Sequence, residues 1–541
     1  MAARVPAAAV ALIAHDTFGL MRSRGAMWFA FVFSVSALAL QTSEALRYFE
    51  QARQLFERRQ LDDAQSAAAK ALAADPQMGN AEILLGLIAS ARSQFGEAEK
   101  HFVRAVALEA RNYQAHAYLG STYLQEKRLT EAAAAFRKVL ELSPGNVTAN
   151  YNLGLIALAE DLPFDALHRF ELVTRASSSD VPALIGTLES QLLLRKTGDA
   201  RQTTRQLDTL LDDRDPRLFQ VATLLAQRGE SAAAIPLMER ARRAFPQSYD
   251  VSYNLALACL QTAQYGRAAE VLHTLTGPQG KAEAFDLLGT VEEKRTHRDN
   301  AERAFAEAAR REPSNEDYRF NYGNSLVQHG KLDLAVEALR PAVIDLPKSW
   351  KLRIGLGTAC YLLGDYKTAA EELLEAVRLK QDSATAYFLL GEAYDSAEHF
   401  QPAIETAFKM YLKTAPRDSW AYYHYAVILY GQAQAAGSSD YQVAGANLNE
   451  ALRLNSSFAE AYLELGLIAL AQDKVAQGIA ALEKAVSLDP RLAAAHYRLG
   501  LAYQRTGSAA RAKVEMDRFR ALKDEARYGG RVRESLASMA R

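Results

Sequence analysis

Only two cysteines, Cys259 and Cys360, occur in the 541 residues of this chain. A disulfide framework is therefore excluded. Neither charge sign is in excess, since 63 Lys and Arg against 64 Asp and Glu leave a formal net charge of -1. The basic surplus or stripe that marks nucleic-acid binders is missing, so no nucleic acid is expected as a partner. Glycine (30) and proline (15) are sparse and sit at punctuating positions. Catalytic spacings are missing too: no HExxH, CxxC, GxSxG or GxGxxG occurs, and GPQGK at 277–281 lacks the leading glycine and the Ser/Thr of a phosphate loop. The ten histidines are scattered singly. No catalytic residue, metal site or cofactor is expected, and the chain is read as a non-enzyme.

What the chain has is a period. A unit of about 34 residues repeats Leu-Gly, Tyr, Ala, Phe, a further apolar residue and Pro, most clearly at Leu119, Gly120, Tyr123, Ala132, Phe136, Val139 and Pro144. Gly86, Gly120, Gly154, Gly289, Gly323, Gly357, Gly391, Gly466 and Gly500 share one position of a first helix. Ala98, Ala132, Ala166, Ala200, Ala234, Ala268, Ala301, Ala335, Ala369 and Ala403 share one of a second. Small side chains at fixed places let two helices approach closely, because ridges must enter grooves. Large apolar residues flank them at spacings of three and four, the mark of one helical face. Pro76, Pro144, Pro246, Pro313, Pro347 and Pro490 end second helices, since proline lacks the donor a helix interior needs. Gly96-Glu97, Gly364-Asp365 and Gly507-Ser508 read as turns between paired helices. Cys259 and Cys360 take the place of Tyr123, a core position, and His116 and His496 take a large core slot.

These residues resemble the tetratricopeptide repeat family over residues 45–526. The resemblance implies an all-α fold, a right-handed superhelical solenoid of about fourteen antiparallel helix pairs. Each pair buries its apolar face only against its neighbours.

Departures from the pattern have expected consequences. In the unit at 181–214, Thr187-Leu188 replaces Leu-Gly and Thr204 replaces the aromatic, which reads as the weakest unit, a flexible seam. One residue of register slips between Met410 and Pro416. The run GQAQAAGSSD at 431–440 reads as an insertion projecting as a loop between two helices. Residues 1–40 stand outside the array as an N-terminal extension. Arg22 and Arg24, an apolar stretch from Ala26 to Ser36, and Ala37-Leu38-Ala39 have the layout of a secretory signal peptide, with Met21 as a candidate start. An uncleaved anchor is the competing reading and would be the chain's sole membrane contact. Export to the periplasm or envelope of a bacterium is the expectation. Residues 527–541 read as a polar C-terminal tail.

The resemblance further implies that first helices line a concave groove, with the two residues before Leu-Gly facing it. The first of these positions is repeatedly aromatic: Tyr151, Phe219, Tyr253, Phe320, Phe388, Tyr423 and Tyr497. The second holds Asn152, Asn254 and Asn321. Aromatics supply contact area, and an amide can pair with a peptide backbone. These ten residues are the candidate partner-binding set, and proteins or peptides are the expected partners. The same aromatics could equally cover the helix beneath them. A basic carboxylate clamp is rejected, because Tyr118 and Gly186 stand where neighbours of Asn152 would be needed, and Lys351 and Arg353 follow Asn321 without a second asparagine. The function read from this is an interaction scaffold. A regulatory or substrate-presenting arm of a separately encoded enzyme, or an architectural part of an envelope secretion or polymer-export machine, are the alternatives. The oligomeric state is not legible.

Overall fold

The array begins with Ala-rich, Leu-rich segments whose apolar residues recur at helical spacing, and all of them are helical. The computed structural model describes residues 42–414, 417–438 and 441–523. The signal segment, the tail at 527–541 and the last two residues of the 431–440 run lie outside them. Among the described residues there are 28 α-helices, α1 (Thr42–Glu57) to α28 (Ala509–Lys523) in chain order, forming fourteen consecutive pairs. About 80% of the described residues are helical and none is in a strand, an all-α helical-repeat superhelix. None is long and apolar enough to cross a membrane. Contacts divide them into two units, one ending at Thr262 and the other beginning at Ala263.

Pairing is set by an exchange of side-chain size. A Cβ added at Gly120 would lie 3.0 Å from the Phe136 ring, at Gly154 2.8 Å from Phe170, and at Gly289 2.6 Å from Phe305. In each case the large partner is sixteen residues later, on the second helix. Phe102, Phe136 and Phe170 are completely buried there, each contributing about 1.5–3 kcal/mol of burial. The expected prolines all fall two residues beyond the ends of second helices, as at Leu142 before Pro144 and Leu488 before Pro490.

First and second helices start differently. Most first helices carry a side-chain cap, as where Asn112 Oδ1 accepts from the amides of Gln114 (3.1 Å) and Ala115 (3.2 Å). Most second helices have none, because the preceding turn already occupies their backbone. In that turn one residue is left-handed, and the amide next to it reaches back five residues, as Gln94 N to Ala89 O at 2.9 Å. Gly229, Gly330, Gly364 and Gly507 hold the left-handed place in their units, but Ser93, Lys127, Arg195 and Thr296 hold it in others. Gly96 is therefore not a turn residue; it lies inside α4 (Phe95–Leu108), and Ser93 makes the turn. Thr296 is β-branched with φ at 61°, a conformation it adopts at a cost. Replacing Thr296 by Gly should stabilise the protein by about 1 kcal/mol; an unchanged or lower melting temperature would contradict this turn geometry.

Three irregular units differ from the sequence-based expectation. In α9 (Val181–Leu193) and α10 (Thr197–Leu210) the size exchange is inverted: Leu188, fully buried, stands at the glycine position and Thr204 at the aromatic one. The hydroxyls close on backbone and side-chain acceptors, Thr187 Oγ1 to Ala183 O and Thr203 Oγ1 to Gln191 Oε1, both 2.8 Å. The expected weak seam is a filled, hydrogen-bonded pair.

The register slip lies earlier than Met410. α21 (Ala384–Ala393) gives way to two short 3-10 turns, Tyr394–Ser396 and Glu398–Phe400, before α22 (Gln401–Thr414). Ala403 is exposed, and Ile404 and Phe408 take the buried places one residue on. The physical reason is the turn: no residue there adopts the left-handed conformation, so an extra residue rounds the corner. The insertion after Tyr430 is mostly not a projecting loop. α23 (Ser419–Ala435) extends to 17 residues and closes with the usual turn, Ser438 N to Ala433 O at 2.8 Å. A helix absorbs extra residues by adding a turn, keeping its backbone bonds satisfied.

Candidate functional site

Within the second unit, successive first helices touch one another: α17 (Glu316–Gln328), α19 (Trp350–Leu363), α21, α23, α25 (Ala459–Ala471) and α27 (Ala493–Arg505). Side chains tie them directly. Asn321 Nδ2 donates to Asp286 Oδ1 at 2.9 Å, Ser325 Oγ to Glu293 Oε1 at 2.6 Å, and Phe388 meets Trp420 edge to face with ring centroids 5.2 Å apart. The first-helix face is thus a continuous surface in this unit, and five of the candidates, Phe320, Asn321, Phe388, Tyr423 and Tyr497, lie on its helices.

The ten candidates do not share one environment. Tyr151, Asn152 and Phe320 are buried, so they offer no contact surface to a partner. Tyr151 packs against Phe170 at 5.8 Å. Asn152 Nδ2 donates to Thr148 O at 2.8 Å within its own helix. Phe320 belongs to the core with Leu339 and Leu352. The cause is the following repeat. Tyr151 and Phe320 are each followed one unit on by glycine, Gly186 and Gly355, and a Cβ at Gly355 would stand 3.5 Å from the Phe320 ring. Where the following residue is larger, as Asn254 after Phe219, His424 after Phe388 and Glu464 after Tyr423, the aromatic stays half-buried. Tyr253 and Asn254 are half-buried too; Tyr253 stacks on Tyr249 at 5.7 Å and Asn254 Nδ2 donates to Asp250 O at 2.8 Å. Tyr497 is 38% exposed. Asn321 is half-buried and engaged with Asp286.

Lys351 pairs with Asp317, and Arg353 Nη1 with Glu372 Oε2 at 2.6 Å. Neither basic side chain is held open as part of a clamp. Arg311 fills the GPQGK turn, donating from Nη1 to Gly280 O at 2.5 Å; the carbonyls face a guanidinium, not a phosphate. His116 Nε2 and His496 Nε2 meet the carbonyls of Ala110 (3.1 Å) and Pro490 (3.0 Å), as core histidines do. Both cysteines are free and buried, and burial pushes each thiol up to about 11, which suits a packing role and no nucleophile.

Sequence reasoning missed the richest part of this face. On α21 and its 3-10 extension, Phe388, Glu392 and Asp395 follow at steps of four and three; on α23, Trp420, Tyr423 and Tyr430 keep the same side; on α25, Glu460 and Glu464 do. Trp420 also meets Phe458 at 4.5 Å. His424 is 4% exposed, and its Nε2 has no hydrogen-bond partner among the described residues. The closest carboxylate oxygen, Glu392 Oε1, is 3.9 Å away, beyond hydrogen-bond range. Burial holds this imidazole neutral, at about 3. Burial likewise pushes the Glu464 carboxyl up to about 7, Arg498 acting against it and Asp395 with it. In the same way burial raises Asp286 to about 6, with the Asn321 hydrogen bond opposing and Asp317 reinforcing. The signal for these residues was in the chain at the positions after Leu-Gly, where the second unit places Glu293, Glu392 and Asp395.

Family comparison agrees with this architecture. Models described as tetratricopeptide repeat match residues 83–147, 287–349 and 225–290, and one described as TPR repeat matches 357–395 and 468–507. The chain is a tetratricopeptide repeat protein. No protein of curated function matches it. Among solved structures it is similar to PilF of Pseudomonas aeruginosa, at 19% identity and a TM-score of 0.34 over 42% of this chain and 98% of that one. It is also similar to the C-terminal part of a TPR repeat-containing protein from Cytophaga hutchinsonii, at 17% identity and a TM-score of 0.35 over 50% of this chain and 95% of that one. A tetratricopeptide repeat protein from Parabacteroides merdae follows at 14% identity and 0.30, over 52% and 97%. Likeness at this level carries no function across.

Proposed function

We propose that this chain is a non-enzymatic interaction scaffold that holds polypeptide segments along its first-helix face, working at the bacterial envelope after export. Repeats of this family generally act as interaction scaffolds for proteins or peptides. The observation that carries the reading is the recurrence of Phe219, Tyr253, Phe388, Tyr423 and Tyr497 at one register position, each with part of its ring outside the core. Rigid aromatic area at repeated intervals favours many weak contacts with an extended chain, and linked weak contacts add to a firm hold. A nucleic-acid partner finds no basic stripe in the sequence. Export rests on the arrangement of Arg22, Arg24 and the apolar stretch after them.

A photo-reactive residue replacing Tyr253 should give polypeptide adducts in the native host, whereas one replacing Arg205, exposed on α10, should not. Equal adducts at both positions, or none at Tyr253, would move binding off this face. The same purified protein tests export by its N-terminal sequence: a mature start just after Ala39 is expected, and a retained Met1 or Met21 would refute cleavage.

A further inference from the structure

The first-helix faces of the two units differ in charge. In the first unit the residues at the groove positions are mostly neutral, such as Leu87, Leu155, Thr223 and Leu257. In the second unit Glu392 stands at that same position, and Asp286, Glu293, Asp317, Asp395 and Glu464 stand at others of the same first helices, among them three before and four after the helix glycine, where the first unit has Tyr151, Phe219, Leu124 and Leu158. Of these, Asp317 pairs with Lys351, Glu293 with His329, and Asp286 accepts from Asn321. Asp395 and Glu464 have no hydrogen-bond or ion-pair partner among the described residues, and Glu464 is half-buried. An unpaired carboxylate taken out of water carries a desolvation penalty that a cation would relieve.

We infer that the face formed by α21, α23 and α25 binds an extended polypeptide segment rich in arginine or lysine, its side chains seated on Trp420 and Tyr423 and paired with Glu392, Asp395 and Glu464. The inference rests on the scaffold reading above and names the partner's chemistry. Three independent features converge on it. Aromatic rings beside carboxylates make the environment a guanidinium prefers, because its planar face stacks while its edge forms two parallel hydrogen bonds. The buried Nε2 of His424, 3.9 Å from Glu392 Oε1 and without a hydrogen-bond partner among the described residues, is an unsatisfied polar atom aimed at one of these carboxylates. The positions along α21 and α23 share single faces, so an extended chain crossing them meets acid, ring and acid in turn. Arg498, exposed on α27, is near enough to act on the Glu464 carboxyl, which it lowers against the effect of burial, but makes no ion pair with it. An acidic segment would meet like charge, and a purely apolar one would leave Asp395 and Glu464 without a counter-charge.

The test uses the full chain and two labelled dodecapeptides of repeated Gly-Ser-Arg or Gly-Ser-Glu, read by fluorescence anisotropy. The arginine peptide should bind and the glutamate peptide should not, with affinity falling as salt is raised. Asp395→Asn with Glu464→Gln should weaken the arginine peptide about tenfold or more, while circular dichroism stays unchanged. A control variant, Asp333→Asn with Glu371→Gln, removes the same charge from exposed sites on second helices and should leave affinity within about twofold. Equal binding of both peptides, or equal weakening by both double variants, would overturn the inference. If the arginine peptide fails while adducts still form at Tyr253, the inference falls and the scaffold reading stands. If neither is seen, both fall.

Discussion

Replacing Phe320 by Ala should melt the middle of the second unit, at a cost of about 3–5 kcal/mol. Replacing Tyr253 by Ala should cost about 1 kcal/mol. Both residues occupy the same register position, and aromatic character alone would assign them the same role. Phe320 is 1% exposed and packs with Leu339, Leu352 and Ile354, so truncation leaves a cavity whose walls belong to two helix pairs. In a repeat array the loss falls on the neighbours as well, because each pair is held mainly by the next. Amide hydrogen exchange should therefore accelerate across 316–363 in the Phe320 variant, and remain near wild type around Tyr253 in the other. Similar exchange in both variants would mean that burial at this position is uniform, against the environments described here.

The second large effect concerns the glycine of the first helix. Gly154→Leu should destabilise the first unit by about 3 kcal/mol. The added Cβ alone would meet Phe170 at 2.8 Å, and Phe170 cannot retreat, because a Cβ at Gly186 on its other side would be 2.5 Å away. The ring is fully buried between two glycines on successive first helices. Thermal unfolding followed by circular dichroism reads the loss; a melting curve that coincides with the wild type would show that the helices can separate at no cost.

The spacing that carries the fold was legible because side-chain size is written directly in the sequence. Gly120 before Phe136, Ala132 on the opposing helix and Pro144 beyond it are local facts, and each has one mechanical meaning. Less legible was whatever depended on a neighbouring repeat. Tyr151 and Phe320 sink into the core because glycine stands at the next position across, one repeat on, and a pattern read along one unit cannot show it. The slip near 394–400 was misplaced for a related reason: Ala403 fits the alanine column, but the turn before it gains a residue and moves Ile404 into the core. The run after Tyr430, rich in Gln and Ala, has helical character that its length as an insertion concealed. For binding, aromatic recurrence pointed to the first-helix face, whereas the carboxylates of α21 and α25 became visible only once three helices were set side by side.

The central claim is that one small and one large side chain, sixteen residues apart, lock each regular pair, and that only their sum matters. Residues Leu188 and Thr204 already show the exchange reversed. A double-mutant cycle of Gly154→Leu and Phe170→Thr therefore tests the claim most directly. The single variants should each lose about 3 kcal/mol or more, and the double variant should recover roughly 2–3 kcal/mol of the combined loss through coupling. Strictly additive losses would contradict the account.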